Sequence, residues 1–316
     1  MRIFTCLILA LFVFGCDSET TPAPTDALSL TVTGFSPARS GETYALWLAF
    51  PKAAASHGHE PQHGSTEYKL VSTFDVTIGG SLVGFDNKDL STKLGLGLAL
   101  AQHGLISIEK KDSIGSAPNV PFLVGEITGT ATKGNAIMTH DHGDAIGYTF
   151  STLGAEATLA SPVTSFEDYR GELYLMNAMD ESSAEVGIVG LVPLTVKWKY
   201  GLWAVDSATK SSPPFNIFYG YFSNIAEADE HPEDNRFPFP GGRYPASPSE
   251  PVYSLTTGNV TVMVTLEPNL GNIRPSVPFG AIVLQTTIPK DRQAYLPFLL
   301  TNKALNLPQA TIILDR

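Results

Sequence analysis

Self-similarity at a fixed spacing constrains this chain more than any other feature, because two copies of one segment must fold into two copies of one shape. Gly34-Phe35-Ser36-Pro37 followed by Tyr44-Ala45-Leu46-Trp47 matches Gly190-Leu191-Val192-Pro193 followed by Tyr200-Gly201-Leu202-Trp203, every pair 156 residues apart. Further on, Ile106-Ser107-Ile108-Glu109 leading to Val120-Pro121-Phe122 matches Val264-Thr265-Leu266-Glu267 leading to Val277-Pro278-Phe279, at offsets of 157 to 158. The expectation is an internal duplication.

In each copy the Tyr-x-Leu-Trp segment runs apolar over a strand length, and the Val/Ile-rich segment before the Glu alternates with Ser or Thr. Both patterns suit half-buried strands. The Gly/Pro/Asn-rich links from Glu109 to Pro121 and from Glu267 to Pro278 deny a helix and predict a hairpin. With 28 Gly and 23 Pro among 316 residues, long helices are interrupted throughout, so the fold class is all-β. Turn signals every dozen residues or so argue for a sandwich or barrel, with one core per copy. The units read as residues 28–154 and 155–316, and Ala310 to Leu314 as a closing strand of the second. Trp47 and Trp203 are expected to fill equivalent cores; the alternative is that their rings stack on a sugar or a base. Glu109 and Glu267, at matching positions, are expected to bind backbone N–H groups of the hairpin that follows each.

The amino terminus reads as a targeting segment. Arg2 precedes an apolar run of 12 residues, Ile3 to Phe14, and Gly15-Cys16 follow. A span of the bilayer core needs about 20 apolar residues, so residues 1–15 read as a signal peptide and not as an anchor. Val13-Phe14-Gly15-Cys16 resembles the lipobox of bacterial lipoproteins, with Phe14 standing where that family has a small residue. The resemblance implies that Cys16 becomes the new amino terminus and carries acyl chains, tying the protein to a lipid bilayer without a spanning helix. The only other cysteine is Cys6, inside the leader, so the body holds no thiol for a disulfide. Residues 16–27, with Asp17 to Asp26 reading DSETTPAPTD, form an extended tether. The expected location is the bacterial cell envelope, lipid-anchored and extracytoplasmic.

The Tyr-x-Leu-Trp strand, the later Phe74 strand and the strand ending at Glu109 resemble the extracytoplasmic domain of anti-sigma-K factors, over about 28–130 and again over about 186–290. That resemblance implies two tandem immunoglobulin-like β-sandwich domains. It is carried over for shape alone, since a cytoplasmic sigma-binding segment and a spanning helix are missing from the sequence.

Lys plus Arg number 20 against 31 Asp plus Glu, a formal charge of −11 that repels phosphate backbones and makes nucleic acid an unsuitable partner. Function concentrates on loops that vary over a shared scaffold. The first copy carries His57-Gly58-His59-Glu60-Pro61-Gln62-His63-Gly64, eight residues that the second lacks, and a turn containing His140-Asp141-His142-Gly143-Asp144. A His-x-His pair in extended chain projects both rings to one side, so His57, His59, His63, His140, His142 and Asp144 are candidate ligands for Zn²⁺ or Cu²⁺. The second copy instead carries an acidic loop from Glu227 to Asp234, then Phe237-Pro238-Phe239-Pro240, which either folds back on the sheet or meets a partner. Gly95-Leu96-Gly97-Leu98 reads as core packing. No Gly-x-Ser-x-Gly elbow, His-Glu-x-x-His helix or phosphate-cradling loop is present, and nothing selects a catalytic pair among Glu109, Glu126 and Glu267. The expectation is a membrane-tethered lipoprotein with a structural or binding role towards an envelope protein, with no cofactor and no catalysis. The alternative is an envelope Zn/Cu-binding protein that uses the His-rich loops.

Overall fold

The computed structural model of the chain describes residues 27–52, 66–87, 90–95, 97–161, 171–180, 182–206, 215–223, 239–242, 254–271 and 275–315. The expected signal peptide, Cys16, the tether and the loop of His57, His59 and His63 lie outside these residues. In the first half of the chain the strands are β1 (Ala27–Thr33), β2 (Glu42–Pro51), β3 (Thr66–Val76), β4 (Leu82–Val83), β5 (His103–Lys110), β6 (Val120–Glu126), β7 (Thr128–Gly129) and β8 (Lys133–Met138). Next come β9 (Gly154–Ser161), β10 (Glu172–Tyr174), β11 (Met176–Asn177), β12 (Glu185–Val186) and β13 (Ile188–Val189). The remainder are β14 (Trp198–Asp206), β15 (Asn216–Phe222), β16 (Gly241–Gly242), β17 (Val260–Pro268), β18 (Ile282–Thr287), β19 (Phe298–Asn302) and β20 (Gln309–Asp315). The protein is all-β, and the α-helical part of the described residues is the five-residue α1 (Leu90–Leu94). No described helix is long and apolar enough to cross a membrane.

Two antiparallel meander-like arrays dominate, each a pair of hairpins joined by a crossover. The first is a five-stranded sheet in the order β4-β3-β2-β5-β6. The second begins β15-β14-β17-β18 and continues through β19, β9 and β10 to β16, with β13 also on β9. Since β16 returns against β15, this nine-stranded sheet is a nearly closed barrel. A further sheet runs β1-β20-β8-β7, and β11 pairs with β12.

Period-two patterning explains how each meander is seated. Along β2, Tyr44, Leu46, Leu48 and Phe50 enter the main core, while Ala45 and Trp47 point to the opposite face. Along β14, Trp198, Tyr200, Leu202 and Ala204 enter that core and Trp203 points away from it. The irregularities fall at corresponding places too. A bulge interrupts β2–β3 between Leu46 and Trp47, and another interrupts β14–β15 between Leu202 and Trp203. The β5–β6 ladder shifts between Ile106 and Ser107, and β17–β18 between Val264 and Thr265. Gly34 and Gly190 both sit at positive φ, 75° and 69°, where a side chain is strained.

Three expectations need correction. One core per copy does not hold: a single cluster of buried residues runs from Leu28 to Leu314 through both halves. The inward aromatics of the two meanders meet directly, with Phe122 5.5 Å from both Trp198 and Phe279, ring centre to ring centre. The terminal strand does not close the second unit. Instead β20 lies between β1 and β8, with Ile312 opposite Leu30 on one side and Ala136 on the other. Finally, Val277-Pro278-Phe279 is not the counterpart of Val120-Pro121-Phe122. Ladder register sets Pro121 opposite Ser107 and Ile282 opposite Thr265, 161 residues apart, so the two tripeptides hold different ladder positions.

Candidate functional site

Each meander carries a buried polar bracket on the face turned away from the main core. In the first, the indole Nε1 of Trp47 donates to Ser107 Oγ at 2.8 Å, and that hydroxyl donates to Glu109 Oε1 at 2.5 Å. The backbone N–H of Asn119, in the hairpin after Glu109, donates to the same oxygen at 2.8 Å. In the second, Trp203 Nε1 at 3.1 Å, Thr265 Oγ1 at 2.5 Å and the Phe279 N–H at 3.1 Å all donate to Glu267 Oε1. Alternation places Trp, Ser/Thr and Glu on one face of adjacent strands, which is why Ser107 and Glu109, like Thr265 and Glu267, stand two positions apart. Both indoles are sealed, at 1% and 0% exposure, so neither ring offers a stacking face to a sugar or a base. Trp47 packs with Leu105 and Val124, and Trp203 with Phe218 and Met263, in small clusters separate from the main core.

The second carboxylate oxygen distinguishes the two brackets. Glu267 Oε2 accepts from Arg39 Nη1 at 2.6 Å, across 228 residues of sequence. Arg39 also holds Glu42, through Nε at 3.0 Å and Nη2 at 2.9 Å, and lies 5.6 Å from the Phe279 ring centre. Burial opposes the charge on Arg39, yet Glu267 and Glu42 hold its pKa above the ordinary value. Complete burial pushes the Glu267 carboxyl up, against the opposing pull of Arg39 and the hydrogen bonds from Thr265 and Phe279. Glu109 Oε2, equally buried, has no hydrogen-bond partner among the described residues. The residue 156 positions beyond Arg39 is Thr195, too short to copy its reach.

Beside this ion pair opens a cleft of about 360 Å³ between the halves, lined by Arg39, Glu42, Lys110 and Asp112 from the first and by Tyr221 and Leu270 from the second. It offers both signs of charge with an apolar wall, which suits a polar peptide or loop better than a purely apolar ligand.

The histidines divide. The assumption of extended chain through His140 and His142 fails, because the backbone turns there: the N–H groups of Ile146 and Gly147 both donate to the His140 carbonyl. His140 is buried against Phe150, with ring centres 6.0 Å apart and neither ring nitrogen hydrogen-bonded among the described residues. Burial pushes its pKa down, with Asp141 pulling the other way. His142 is half-exposed and approaches Asp144, Nδ1 to Oδ2 at 3.9 Å. Its ring lies 6.0 Å from that of His103, a residue which the sequence did not single out. Among the described residues no group of three or more His, Cys, Asp or Glu is arranged to hold a metal. Phe239, from the long loop of the second half, is buried against Tyr174 and Met176. In the glycine-rich stretch, Leu94 and Leu98 enter the main core.

Sequence reasoning missed Arg39 and His103. A pattern two residues apart signals the Trp–Glu brackets, but nothing local pairs Arg39 with Glu267 or brings His103 to His142. No family model, curated protein or solved structure matches this chain.

Proposed function

We propose that this protein is an extracytoplasmic lipoprotein with a binding or structural role. Two immunoglobulin-like modules, copies of one ancestor, hang from the bilayer by acylated Cys16 and present the cleft at their junction to another envelope protein. The observation that carries the reading is the placement of cysteine. One stands at the end of a 12-residue apolar run that is too short to span, the other lies inside that run, and the body has none. A polar tether with two prolines then leads to a body whose first strand begins at Ala27. The copy reading is supported by the matching bulges, brackets and positive-φ glycines. The test is acylation. Labelled palmitate should enter the wild-type chain, and Cys16→Ala should abolish the label and move the protein from the membrane to the soluble fraction. An unlabelled wild-type chain would end the reading.

A second reading, transition-metal binding by such an envelope protein, has one observation in its favour. The rings of His103 and His142 stand 6.0 Å apart at the end of the first meander from which the segment carrying His57, His59 and His63 continues, since Pro51 pairs with Thr66 and Ala49 with His103. Calorimetry with Zn²⁺ or Cu²⁺ should give binding in the micromolar range, lost when His57, His59, His103 and His142 are all changed to Ala. No heat at micromolar metal would exclude it.

A further inference from the structure

Strand β20 lies between β1 and β8 in the four-stranded sheet, and β9 lies between β13 and β19 in the continuation of the nine-stranded sheet. We propose that the two modules are interlocked by exchange of their closing strands, so that β20 completes the first module and β9 the second. The inference rests on the reading of the halves as copies and concerns how those copies are joined.

The registers carry the argument. Strand β20 has Val32 of β1 opposite Ala310 on one side and Met138 of β8 opposite the same residue on the other. Strand β9 has Ile188 of β13 opposite Ala155 and Leu300 of β19 opposite the same residue. Val32 and Ile188 are 156 residues apart, the spacing of the duplication. One step along, Thr33 faces Gln309 and Val189 faces Gly154. Two steps the other way, Ile312 faces Ala136 and Ala157 faces Phe298. Ala310, Ile312 and Leu314 point inward in one sheet, as Ala155, Ala157 and Leu159 do in the other. Thus β9 and β20 occupy the same slot in the same frame, each between counterpart neighbours.

Chain order shows the exchange when the first module runs through β9 to Ser161, past the boundary at 154 expected from the sequence. The module that supplies β1 and β8 is followed by β9, and the module that supplies β13 and β19 is followed by β20. A self-contained module would insert its own following strand. Here each crosses to the other half, which is the single-chain counterpart of a strand-swapped homodimer. Neither module has its own closing strand in place, and the core is continuous between the two.

The test uses the full chain with Cys6→Ser and Cys16→Ser and cysteine pairs at the register positions. Directly opposed antiparallel residues lie about 4.5–5.5 Å apart, within disulfide reach. Thr33→Cys with Gln309→Cys, and Val189→Cys with Gly154→Cys, should each close within one chain on mild oxidation, as mapped by mass spectrometry. Thr33→Cys with Gly154→Cys, and Val189→Cys with Gln309→Cys, should stay reduced. Closure of the latter two instead would overturn the exchange and leave the copy reading standing, since each module would then keep its own strand. Closure of only one of the first two would overturn both, because the sheets would no longer be equivalent. A bond that joins two chains, or no closure in any pair, would overturn the interlock.

Discussion

At the scale of single residues, Glu109 and Glu267 sit in similar Trp–Ser/Thr–Glu brackets but differ in what holds their second oxygen. Removing one partner of a buried ion pair leaves an uncompensated charge, a loss of about 3–5 kcal/mol. Glu267→Gln should therefore lower unfolding stability by about 3 kcal/mol in urea, since its new amide would face Arg39. Glu109→Gln keeps the oxygen that accepts from Ser107 and Asn119 and replaces an unpartnered one, so its effect should stay within about 1 kcal/mol. Equal losses would refute the asymmetry. His140 supplies a pH dependence. Its folded pKa is depressed by burial, so the unfolded chain, with an ordinary value near 6.5, binds the proton more readily. The stability tied to neutral His140 is fully present above about pH 6.5 and is lost as pH falls towards the folded pKa. Urea midpoints at pH 7.5 and pH 5 should differ less in His140→Leu than in wild type; an unchanged difference would count against this assignment.

At the scale of elements, β6 passes close to β8, and Val124 bridges to Thr139 just beyond the end of β8. A Cβ on Gly125 would lie 2.2 Å from the Ile137 carbonyl oxygen, which is backbone and has nowhere to go. A Cβ on Gly104 would meet the tip of Ile312 at 2.5 Å, and that side chain can turn. Gly125→Ala should therefore depress the melting temperature further than Gly104→Ala, and the reverse order would mean that the strands do not cross so closely. Strand identity was legible from the apolar run of β2 and the alternation of β17. Partner identity was not, because alternation says which face a side chain takes and not which strand lies beside it.

For the whole molecule, one core, an ion pair between the halves and the placement of β9 and β20 leave no plane along which the halves separate. Calorimetric melting should show one transition with calorimetric and van't Hoff enthalpies in agreement. Two resolved transitions would mean independent halves. The bonds at stake join residues far apart in sequence, Arg39 with Glu267 and Thr33 with Gln309, and depend on the three-dimensional path of every connection between them. Local chemistry was enough to read the all-β class from Gly and Pro, the strands from their apolar runs and period of two, and the matched tryptophans and matched glutamates from spacings of 156 and 158, because each of these depends on neighbours a few residues away or on direct comparison. Which strand fills which slot was settled only in the folded molecule. The segments β9 and β20 present similar inward patterns to similar neighbours, so the choice between them rests on long-range packing that no local pattern encodes.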